Sequence, residues 1–379
     1  MIDYKKDLFE FIDTNSLQTN KEITEFYNKI NRAGKICLFG ASLNGQSLAY
    51  YLNSNKIKVD CFCDNNSMLW DKNICLNIPC ISPEKLQNIY NDNVFIIISS
   101  RYYKEIEKQI NLLGFTNYFI IPHSLYLKVK NYLLTNDKNN FKKIISNLID
   151  VLDDESSRII LIKTIKNWFS PINDFIEEKN WEQTKGVQYF PHDIIKLKKD
   201  EVFIDVGAFD GDTIASFLKE SYRKFDRIFA YELDKNNYLK LLNNINQYDP
   251  EIKNRIISYN QGLMNENKTI HYLSGSTTES CIIDGEANET GNVVKLSDHL
   301  KNVFPTYIKM DIEGAELEAL KGAEETIKKC KPKLAVCVYH NPEHIWQIPF
   351  YIKKMLPDYK IYFRHHSNNI IETVCYAVI

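Results

Sequence analysis

One stretch constrains the fold of this chain more than any other: VFIDVGAFDGDT, residues 202–213. A run of apolar residues ends at an acid, Asp205, and two glycines follow, Gly207 and Gly211. An apolar run that stops at a glycine turn before a helical pattern is typical of a buried parallel strand that leads into a helix. A second stretch of the same kind, KICLFGASLNG, occupies residues 35–45. The chain therefore predicts two sheets, each built around a strand and a glycine loop.

The pattern around each glycine loop predicts the domain organisation. Strand-like and helix-like runs alternate over residues 1–123, after N-terminal helices, and again over residues 200–379, whereas residues 124–199 have only helical patterns. Such alternation favours parallel sheets covered by helices. We therefore predict an α/β fold with two doubly wound, mostly parallel sheet domains joined by a helical connector, the first of them Rossmann-like. The last two runs, YKIYFRHH and ETVCYAVI, predict an antiparallel hairpin.

Charge and composition limit the function classes. The net charge of the 379 residues is -2, so no basic field favours nucleic acid. No stretch is apolar for the roughly 20 residues that a membrane span needs, and the N-terminus lacks the pattern of a secretory signal. These features predict a cytoplasmic protein without a membrane span. Four of the nine cysteines, which are Cys61, Cys63, Cys75 and Cys80, lie close in sequence; they lack CxxC spacing, which favours buried free thiols over zinc.

The acids around the second glycine loop indicate the kind of cofactor. Glu232 ends the next apolar run, RIFAYE, where an acid can hold two ribose hydroxyls. The loop lacks the G-x-G-x-x-G of dinucleotide sites, because Phe209 and Asp212 stand where the later glycines would be. Asp205, Asp210 and Asp212 would repel pyrophosphate but favour the sulfonium and ammonium of S-adenosylmethionine. The loop therefore predicts S-adenosylmethionine rather than NAD; the alternative is a glycine turn that only packs a helix against a strand.

Three motifs then resemble one known family. FIDVGAFDGDT, AYELDKNNY and YIKMDIEGAELEALKGA are similar to motifs of the FkbM-type methyltransferases, and the resemblance covers residues 185–379. It implies a class I methyltransferase fold, S-adenosylmethionine as cofactor, and methylation of hydroxyls on sugars, glycans or polyketides, often in glycan biosynthesis. Phe209 departs from the asparagine of many members. The residues implied in cofactor binding are Asp205, Gly207, Asp210, Gly211, Asp212, Thr213, Glu232 and Asp311.

Candidate catalytic residues end neighbouring strands of the predicted sheet. Asp311 ends TYIKMD and His340 ends KLAVCVYH, and the carboxyl ends of parallel strands are where such folds bind ligands. Methyl transfer to a hydroxyl requires alignment of the acceptor and removal of a proton. We predict His340 or Asp311 as the base. The alternatives are a hydrogen-bonded surface histidine, or a divalent metal held by Asp311 and His340 that lowers the pKa of the hydroxyl.

Acceptor binding is assigned to residues beside this pair. Arg364 and His365, at the end of YKIYFRHH, are predicted to orient the acceptor together with Glu313. Strand alternation places His365 and His366 on opposite faces. Glu316 is interpreted as a first-turn acid of a helix, favoured only by the helix dipole.

Two further segments have open roles. The polar stretch 274–292 is predicted to be a loop, either an acceptor lid or disordered. Gln188 and Tyr189, which precede the first strand of the second domain, are candidates for lining the cofactor pocket.

The first glycine loop matches the dinucleotide fingerprint only in part. Gly40 and Gly45 have its spacing, but Ser42 replaces the middle glycine that lets a backbone approach pyrophosphate. Asp64 ends the next strand, and Ser99 and Ser100 border the same crevice. A docking domain with a vestigial loop is favoured, and a nucleotide or nucleotide-sugar site is the alternative.

The sequence therefore predicts an S-adenosylmethionine-dependent methyltransferase that acts on a sugar or glycan hydroxyl. The competing hypotheses are a nucleotide-sugar oxidoreductase or epimerase built on the N-terminal domain, and a non-catalytic nucleotide-binding module.

Overall fold

The computed structural model describes residues 4–90, 93–170, 186–273, 281–282, 289–368 and 370–379. The chain divides into two compact units. One contains the described residues of Leu8–Lys138 and Lys166–Glu177, and the other those of Met1–Asp7, Asn139–Ile165 and Glu178–Ile379. The predicted helix in PINDFIEEKNW lies outside the described residues.

The first part of the chain alternates between helices and strands. Its elements are α1 (Tyr4–Arg32), β1 (Ile36–Phe39), α2 (Leu43–Ser54), β2 (Cys61–Cys63), β3 (Cys80–Ile81), α3 (Pro83–Tyr90), β4 (Phe95–Ile98), α4 (Tyr103–Leu112), β5 (Tyr118–Ile120) and α5 (Ser124–Thr135). The five strands form one parallel sheet in the order β3-β2-β1-β4-β5. The residues of β1 and β4 are all buried, which explains their continuous apolar sequences.

The rest of the chain forms two helices and then a second alternating series. The helices are α6 (Lys138–Val151) and α7 (Glu155–Phe169). The series is β6 (Val202–Val206), α8 (Asp212–Glu220), β7 (Arg227–Tyr231), α9 (Lys235–Ile245), α10 (Pro250–Lys253), β8 (Ile256–Tyr259), β9 (Gly262–Leu263), β10 (Lys268–Leu273), β11 (Cys281–Ile282), β12 (Glu289–Val294), α11 (Leu296–His299), β13 (Tyr307–Met310), α12 (Glu316–Cys330), β14 (Lys333–Cys337), α13 (His344–Met355), β15 (Lys360–His365) and β16 (Thr373–Val378).

A seven-stranded sheet with parallel central strands places Asp205, Glu232 and Asp311 at the same edge. The order is β15-β16-β14-β13-β6-β7-β8, in which β16 runs antiparallel to both of its neighbours. The predicted C-terminal hairpin is thus present as β15 and β16. Together with the first parallel sheet, this arrangement confirms the predicted α/β class.

A small four-stranded sheet corrects one prediction. The polar stretch 274–292 was expected to be a loop, but β11 and the first part of β12 lie within it. Both strands pair antiparallel with β10, from Lys268↔Val293 to Tyr272↔Glu289 in the case of β12. Backbone pairing therefore satisfies the N–H and C=O groups of a segment whose polar sequence gives no strand signal. Residues 274–280 and 283–288 are outside the described residues.

The core beneath the second sheet is aromatic. Phe203 of β6 stacks on Phe217 of α8 with ring centroids 4.6 Å apart, and Tyr307 of β13 lies 5.2 Å from Phe203. Phe190, which precedes β6, packs edge-on against both Phe203 and Tyr307. All four side chains are buried, so the segment before β6 is anchored to the central strands.

The outer strand β15 does not leave a free edge. Asp153 donates its backbone N–H to the carbonyl of Ile361 at 2.9 Å, and its carboxylate accepts the N–H of Ile361 at 2.6 Å. Ser157 Oγ accepts the N–H of Phe363 at 2.8 Å. The turn between α6 and α7 therefore covers backbone groups that would otherwise invite pairing with another chain.

Arg364 holds this turn in place through a buried ion network. Its side chain is 4% exposed, and Nη2 lies 2.6 Å from Asp154 Oδ2 and in close contact with Asp193. Nε donates to Asp193 at 3.0 Å, and Nη1 donates to the carbonyl of Phe363 at 2.7 Å. The guanidinium is thus satisfied by the fold itself.

Among the described residues, we find no helix whose length and apolarity would allow it to cross a bilayer.

The glycine at the end of β6 permits a close backbone contact. Gly207 has φ +78°, and a Cβ at this position would lie 1.8 Å from the carbonyl oxygen of Asp311. No real side chain fits that space, and L-residues are also strained at this φ.

We expect Gly207→Ala to lower the free energy of unfolding by about 3 kcal/mol or more, because backbone strain and steric overlap add. Gly186→Ala is the matched control, since φ is +124° there but nothing lies within 4 Å of the added Cβ; we expect a loss of about 1 kcal/mol. Urea unfolding measures both. Equal losses would show that the contact with Asp311 is not tight.

Arg364→Met should lower the free energy of unfolding by about 1–3 kcal/mol, because the carbonyl of Phe363 and the carboxylates of Asp154 and Asp193 would lose charge-assisted hydrogen bonds, although both carboxylates stay in contact with water. Arg223→Met is the control: its pair with Asp249 at 3.0 Å is exposed, and a change under about 1 kcal/mol is expected. Urea unfolding again provides the comparison. A loss below 1 kcal/mol for Arg364→Met would argue against a structural network.

Candidate active site

The acid that ends β6 is completely buried. Asp205 is 0% exposed, and its Oδ1 lies 3.0 Å from Nζ of Lys309 on the neighbouring strand β13. Burial raises the pKa of Asp205 to about 6, against the opposing charge of Lys309. Burial alone would lower the pKa of Lys309, but the charges of Asp205 and Asp311 outweigh it and raise that pKa. A charged lysine therefore compensates the buried carboxylate.

The glycine loop turns from β6 into α8 through left-handed backbone. Phe209 has φ +48° and Gly211 has φ +93°. Asn244 donates to the carbonyl of Asp210 at 2.9 Å, and Asp212 Oδ1 accepts the N–H of Thr213 at 2.6 Å. Of the predicted cofactor residues, Asp212 and Thr213 begin α8, where Asp212 is exposed and Thr213 is buried, and Asp210 and Gly211 immediately precede the helix.

Glu232 lies immediately after β7 and faces the glycine loop. Its Oε2 accepts the N–H of Phe209 at 2.8 Å, and its Oε1 accepts the N–H of Asp234 at 2.8 Å. The residue is 7% exposed, and burial raises the pKa of its carboxyl to about 7. The structure thus brings the acid that was predicted to bind ribose into direct contact with the loop.

Asp311 immediately follows β13 and lies against the glycine loop at Gly207. Its backbone packs against Gly207, and its Oδ2 accepts a hydrogen bond from the hydroxyl of Tyr189 at 2.7 Å. Tyr339 approaches Oδ1 at 3.4 Å. The Asp311 side chain is 23% exposed, so its carboxylate can reach a bound ligand.

His340 is surrounded by carboxylates. Its Nε2 lies 3.5 Å from Asp311 Oδ1 and 3.4 Å from Glu313 Oε2, while its Nδ1 lies 2.7 Å from Glu316 Oε1. Burial alone would lower the pKa of His340, but Glu316 and Glu313 outweigh it and raise that pKa to about 10. Asp311 and His340, predicted from separate strands, are therefore neighbours.

Glu316 is the main residue that sequence reasoning undervalued. It was interpreted as a first-turn acid supported by the helix dipole, but it is 0% exposed. Its Oε1 accepts the N–H of Ile312 at 3.0 Å, and its Oε2 lies 3.3 Å from Nδ1 of His344. The charges of His340 and His344 lower its pKa in spite of burial, which on its own would raise it. The E-G-A-E spacing, with two acids around a glycine turn, was the available signal.

Glu372 is a second carboxyl that the sequence did not indicate. It has φ +74° in the turn between β15 and β16. Its Oε2 accepts from Gln188, and its Oε1 lies 3.4 Å from the hydroxyl of Tyr339. Burial, reinforced by the charge of Asp311, raises the pKa of Glu372 to about 7. No motif distinguishes this glutamate from the other acids of the chain.

The two residues predicted at the end of β15 have structural partners. Arg364 is held by Asp154 and Asp193, as described above. His365 is 1% exposed, and its Nδ1 lies 2.8 Å from Thr373 Oγ1. His366 instead contacts the hydroxyl of Tyr376 at 3.0 Å. A role of Arg364 or His365 in acceptor binding remains a prediction. Of the two residues before β6, Gln188 contacts Glu372 and Tyr189 contacts Asp311.

The first glycine loop has a similar backbone plan. Gly40 has φ +119°, and a Cβ on Gly45 would lie 1.9 Å from the carbonyl oxygen of Gly40. Asp64 accepts the N–H of Ala41 at 2.8 Å and that of Asn66 at 2.8 Å, while Ser99 Oγ donates to the carbonyl of Gly40 at 3.1 Å. Close packing of α2 on β1 is therefore enough to explain both glycines.

The four clustered cysteines are free thiols. Cys61, Cys63 and Cys80 are buried and Cys75 is half-buried. Burial raises the pKa of Cys80 to about 12, so this thiol is protonated at neutral pH.

Two family models match parts of this chain. The model described as the methyltransferase FkbM domain matches residues 205–366, and one described as C2185-like, N-terminal matches residues 32–121. A search of curated proteins found no match.

Solved structures share the fold. The methyltransferase FkbM from Methylobacillus flagellatus KT is 19% identical, with 99% of each chain covered and a TM-score of 0.66. An rRNA methylase from Streptococcus thermophilus is 12% identical over 48% of this chain and 87% of its own, with a TM-score of 0.32. A putative methyltransferase from Streptococcus mutans in complex with SAH is 12% identical over 48% and 91%, with a TM-score of 0.31. The last two likenesses are too distant to add to the first.

The matched range starts at Asp205 and contains Glu232, Asp311 and His340. Of the residues described around Asp311 and His340, only the flanking Gln188, Tyr189 and Glu372 lie outside it. Over residues 205–366 this chain is therefore similar to the methyltransferase FkbM domain.

Proposed function

We propose that this protein binds S-adenosylmethionine beside β6 and β7 and transfers its methyl group to a hydroxyl of a sugar or glycan. The observation that carries the proposal is the position of Glu232, whose carboxylate faces the glycine loop at 2.8 Å from the N–H of Phe209. An acid at this point of a parallel sheet is placed to accept hydrogen bonds from both hydroxyls of a ribose.

The charges of the site support a cationic donor. Lys309 compensates the buried Asp205 at 3.0 Å, so the acids that a ligand would meet beside the glycine loop are Asp311, which is 23% exposed, and the exposed Asp212. A pyrophosphate would be repelled by these acids, whereas a sulfonium and an ammonium are attracted. This supports S-adenosylmethionine over a dinucleotide.

The side chains near Asp311 support a hydroxylated acceptor. Tyr189, Tyr339 and Gln188 offer donors, and Asp311 and Glu372 offer acceptors. A polyol such as a sugar can satisfy donors and acceptors that converge in this way, because each hydroxyl both donates and accepts.

Asp311 and His340 are the proposed catalytic pair. The acceptor oxygen attacks the methyl carbon in line with the breaking carbon–sulfur bond, and S-adenosylhomocysteine leaves. The Asp311 carboxylate accepts the proton of the hydroxyl and passes it to solvent, while the protonated His340, 3.5 Å away, holds that carboxylate in place. Holding the oxygen next to the methyl group accounts for much of the rate, because alignment removes an entropic cost.

Glu232→Gln should weaken S-adenosylhomocysteine binding by about 10–100-fold in calorimetry, because one carboxylate oxygen becomes an NH2 group that cannot accept a hydrogen bond from a ribose hydroxyl. Asp64→Asn is the matched control, since Asp64 makes the equivalent contact with Ala41 in the first glycine loop. We expect no change in its affinity. Wild-type protein that binds neither S-adenosylmethionine nor S-adenosylhomocysteine would contradict the proposal, and bound nicotinamide would favour an oxidoreductase built on the first sheet.

The affinity for S-adenosylhomocysteine should also fall at acidic pH. The pKa of Glu232 in the free protein is raised to about 7, and ribose hydroxyls favour the ionised carboxylate. Protonation therefore competes with binding below pH 7, and affinity should drop by up to about tenfold from pH 8 to pH 6. In Glu232→Gln the same titration should be nearly flat. An equal pH dependence in both proteins would assign it to another group, such as Asp205.

A further inference from the structure

We propose that Asp311, Glu316 and His340 form a binding site for a divalent metal ion at the carboxyl ends of β13 and β14. Each residue offers one ligand atom, and these atoms lie within 4.8 Å of one another. Among the residues that the structure describes, this is the one group of three or more acids, histidines or cysteines that meets this criterion.

The geometry of His340 fits metal binding. Nδ1 is oriented by Glu316 at 2.7 Å, and Nε2 faces Asp311 Oδ1 at 3.5 Å. Glu313 Oε2, 3.4 Å from Nε2, is within reach as an additional ligand. Ligands to one ion lie about 3 Å apart, so binding requires a contraction that the partly exposed Asp311 and Glu313 side chains can make.

The charge of the cluster also favours a dication. Three carboxylates, on Asp311, Glu313 and Glu316, face His340, and His344 approaches only Glu316. Even with His340 protonated the group has a net negative charge, and Glu316 and His340 are almost completely buried. The excess negative charge lies on Asp311 and Glu313, whose side chains are 23% and 31% exposed, so it can attract a cation from solvent.

Glu316 supplies an independent indication. Its Oε2 is buried and accepts no hydrogen bond from the described residues, although Nδ1 of His344 lies 3.3 Å away. A carboxylate oxygen has two acceptor sites, so this single ion pair leaves room for a further ligand. A metal ion beside Asp311 and His340 would supply one.

Two carboxylates and one imidazole suit an ion that accepts both oxygen and nitrogen, such as Mn²⁺ or Zn²⁺. The ion would replace the proton that the carboxylates hold on His340, and this proton would go to solvent. Its role in catalysis rests on the proposed function: bound to the acceptor oxygen, it would lower the pKa of the hydroxyl. The binding itself does not depend on that function.

Titration of chelator-treated full-length protein with Mn²⁺, followed by the loss of the free Mn²⁺ resonance in electron paramagnetic resonance, tests the site. We expect one ion per chain in the wild type. Asp311→Asn and His340→Gln should each weaken binding by about 100-fold. Glu318→Gln, on the same helix as Glu316 but in an exposed pair with Lys321, should bind as the wild type does.

Circular dichroism identifies any variant that fails to fold, and Asp311→Asn, at a partly exposed position, keeps the test valid if His340→Gln does not fold. No saturable binding of Mn²⁺ or Zn²⁺ by the wild type, or unchanged binding in Asp311→Asn, would overturn the inference. Calorimetry with S-adenosylhomocysteine on the same samples separates the two proposals. If the protein binds S-adenosylhomocysteine but no metal ion, only the proposed metal site is wrong. If it binds the ion but not S-adenosylhomocysteine, the proposed methyl donor is wrong.

Discussion

The buried pair of Lys309 and Asp205 is the interaction on which the second sheet depends. The two residues lie opposite each other in the register of β13 and β6, and both are almost completely inaccessible. Nζ of Lys309 also donates to the carbonyl of Gly207 at 2.7 Å. One ammonium group thus fixes the end of β6 and the start of the glycine loop, and without it the charge of Asp205 would be buried and unpaired. Asp311, Glu232 and His340 each follow one of these two strands or a strand next to them.

The two glycine loops of the chain show that backbone plan alone does not define a ligand. In both, an acid after the second strand accepts the N–H of a loop residue, Asp64 from Ala41 and Glu232 from Phe209. The two loops differ in the residue that stands two positions before the first glycine. The second loop has Asp205 there, compensated by Lys309, whereas the first has Leu38, which is buried in the apolar core. Of the two loops, only the second has a buried acid at this position, although burying its charge is costly. We therefore assign the methyl-donor site to the second loop.

The sequence predicted what local pattern determines. Alternating apolar runs gave the parallel strands and the hairpin, and the spacing of Asp205 and Glu232 placed two acids at neighbouring strand ends. Glu316 could not be predicted in the same way, because its burial depends on His340 and His344 from a later part of the chain. Arg364 presented a different difficulty. An arginine at a strand end suits an acceptor or an ion network equally, and its partner Asp154 is remote in sequence.

The proposed function depends most on which ligand binds beside Glu232. A crystal structure of the protein grown with S-adenosylhomocysteine tests this most directly. We predict both ribose hydroxyls within hydrogen-bonding distance of the Glu232 carboxylate, and the sulfur atom on the side of Asp311. A dinucleotide in that crevice, or S-adenosylhomocysteine bound only at the first glycine loop, would contradict the account.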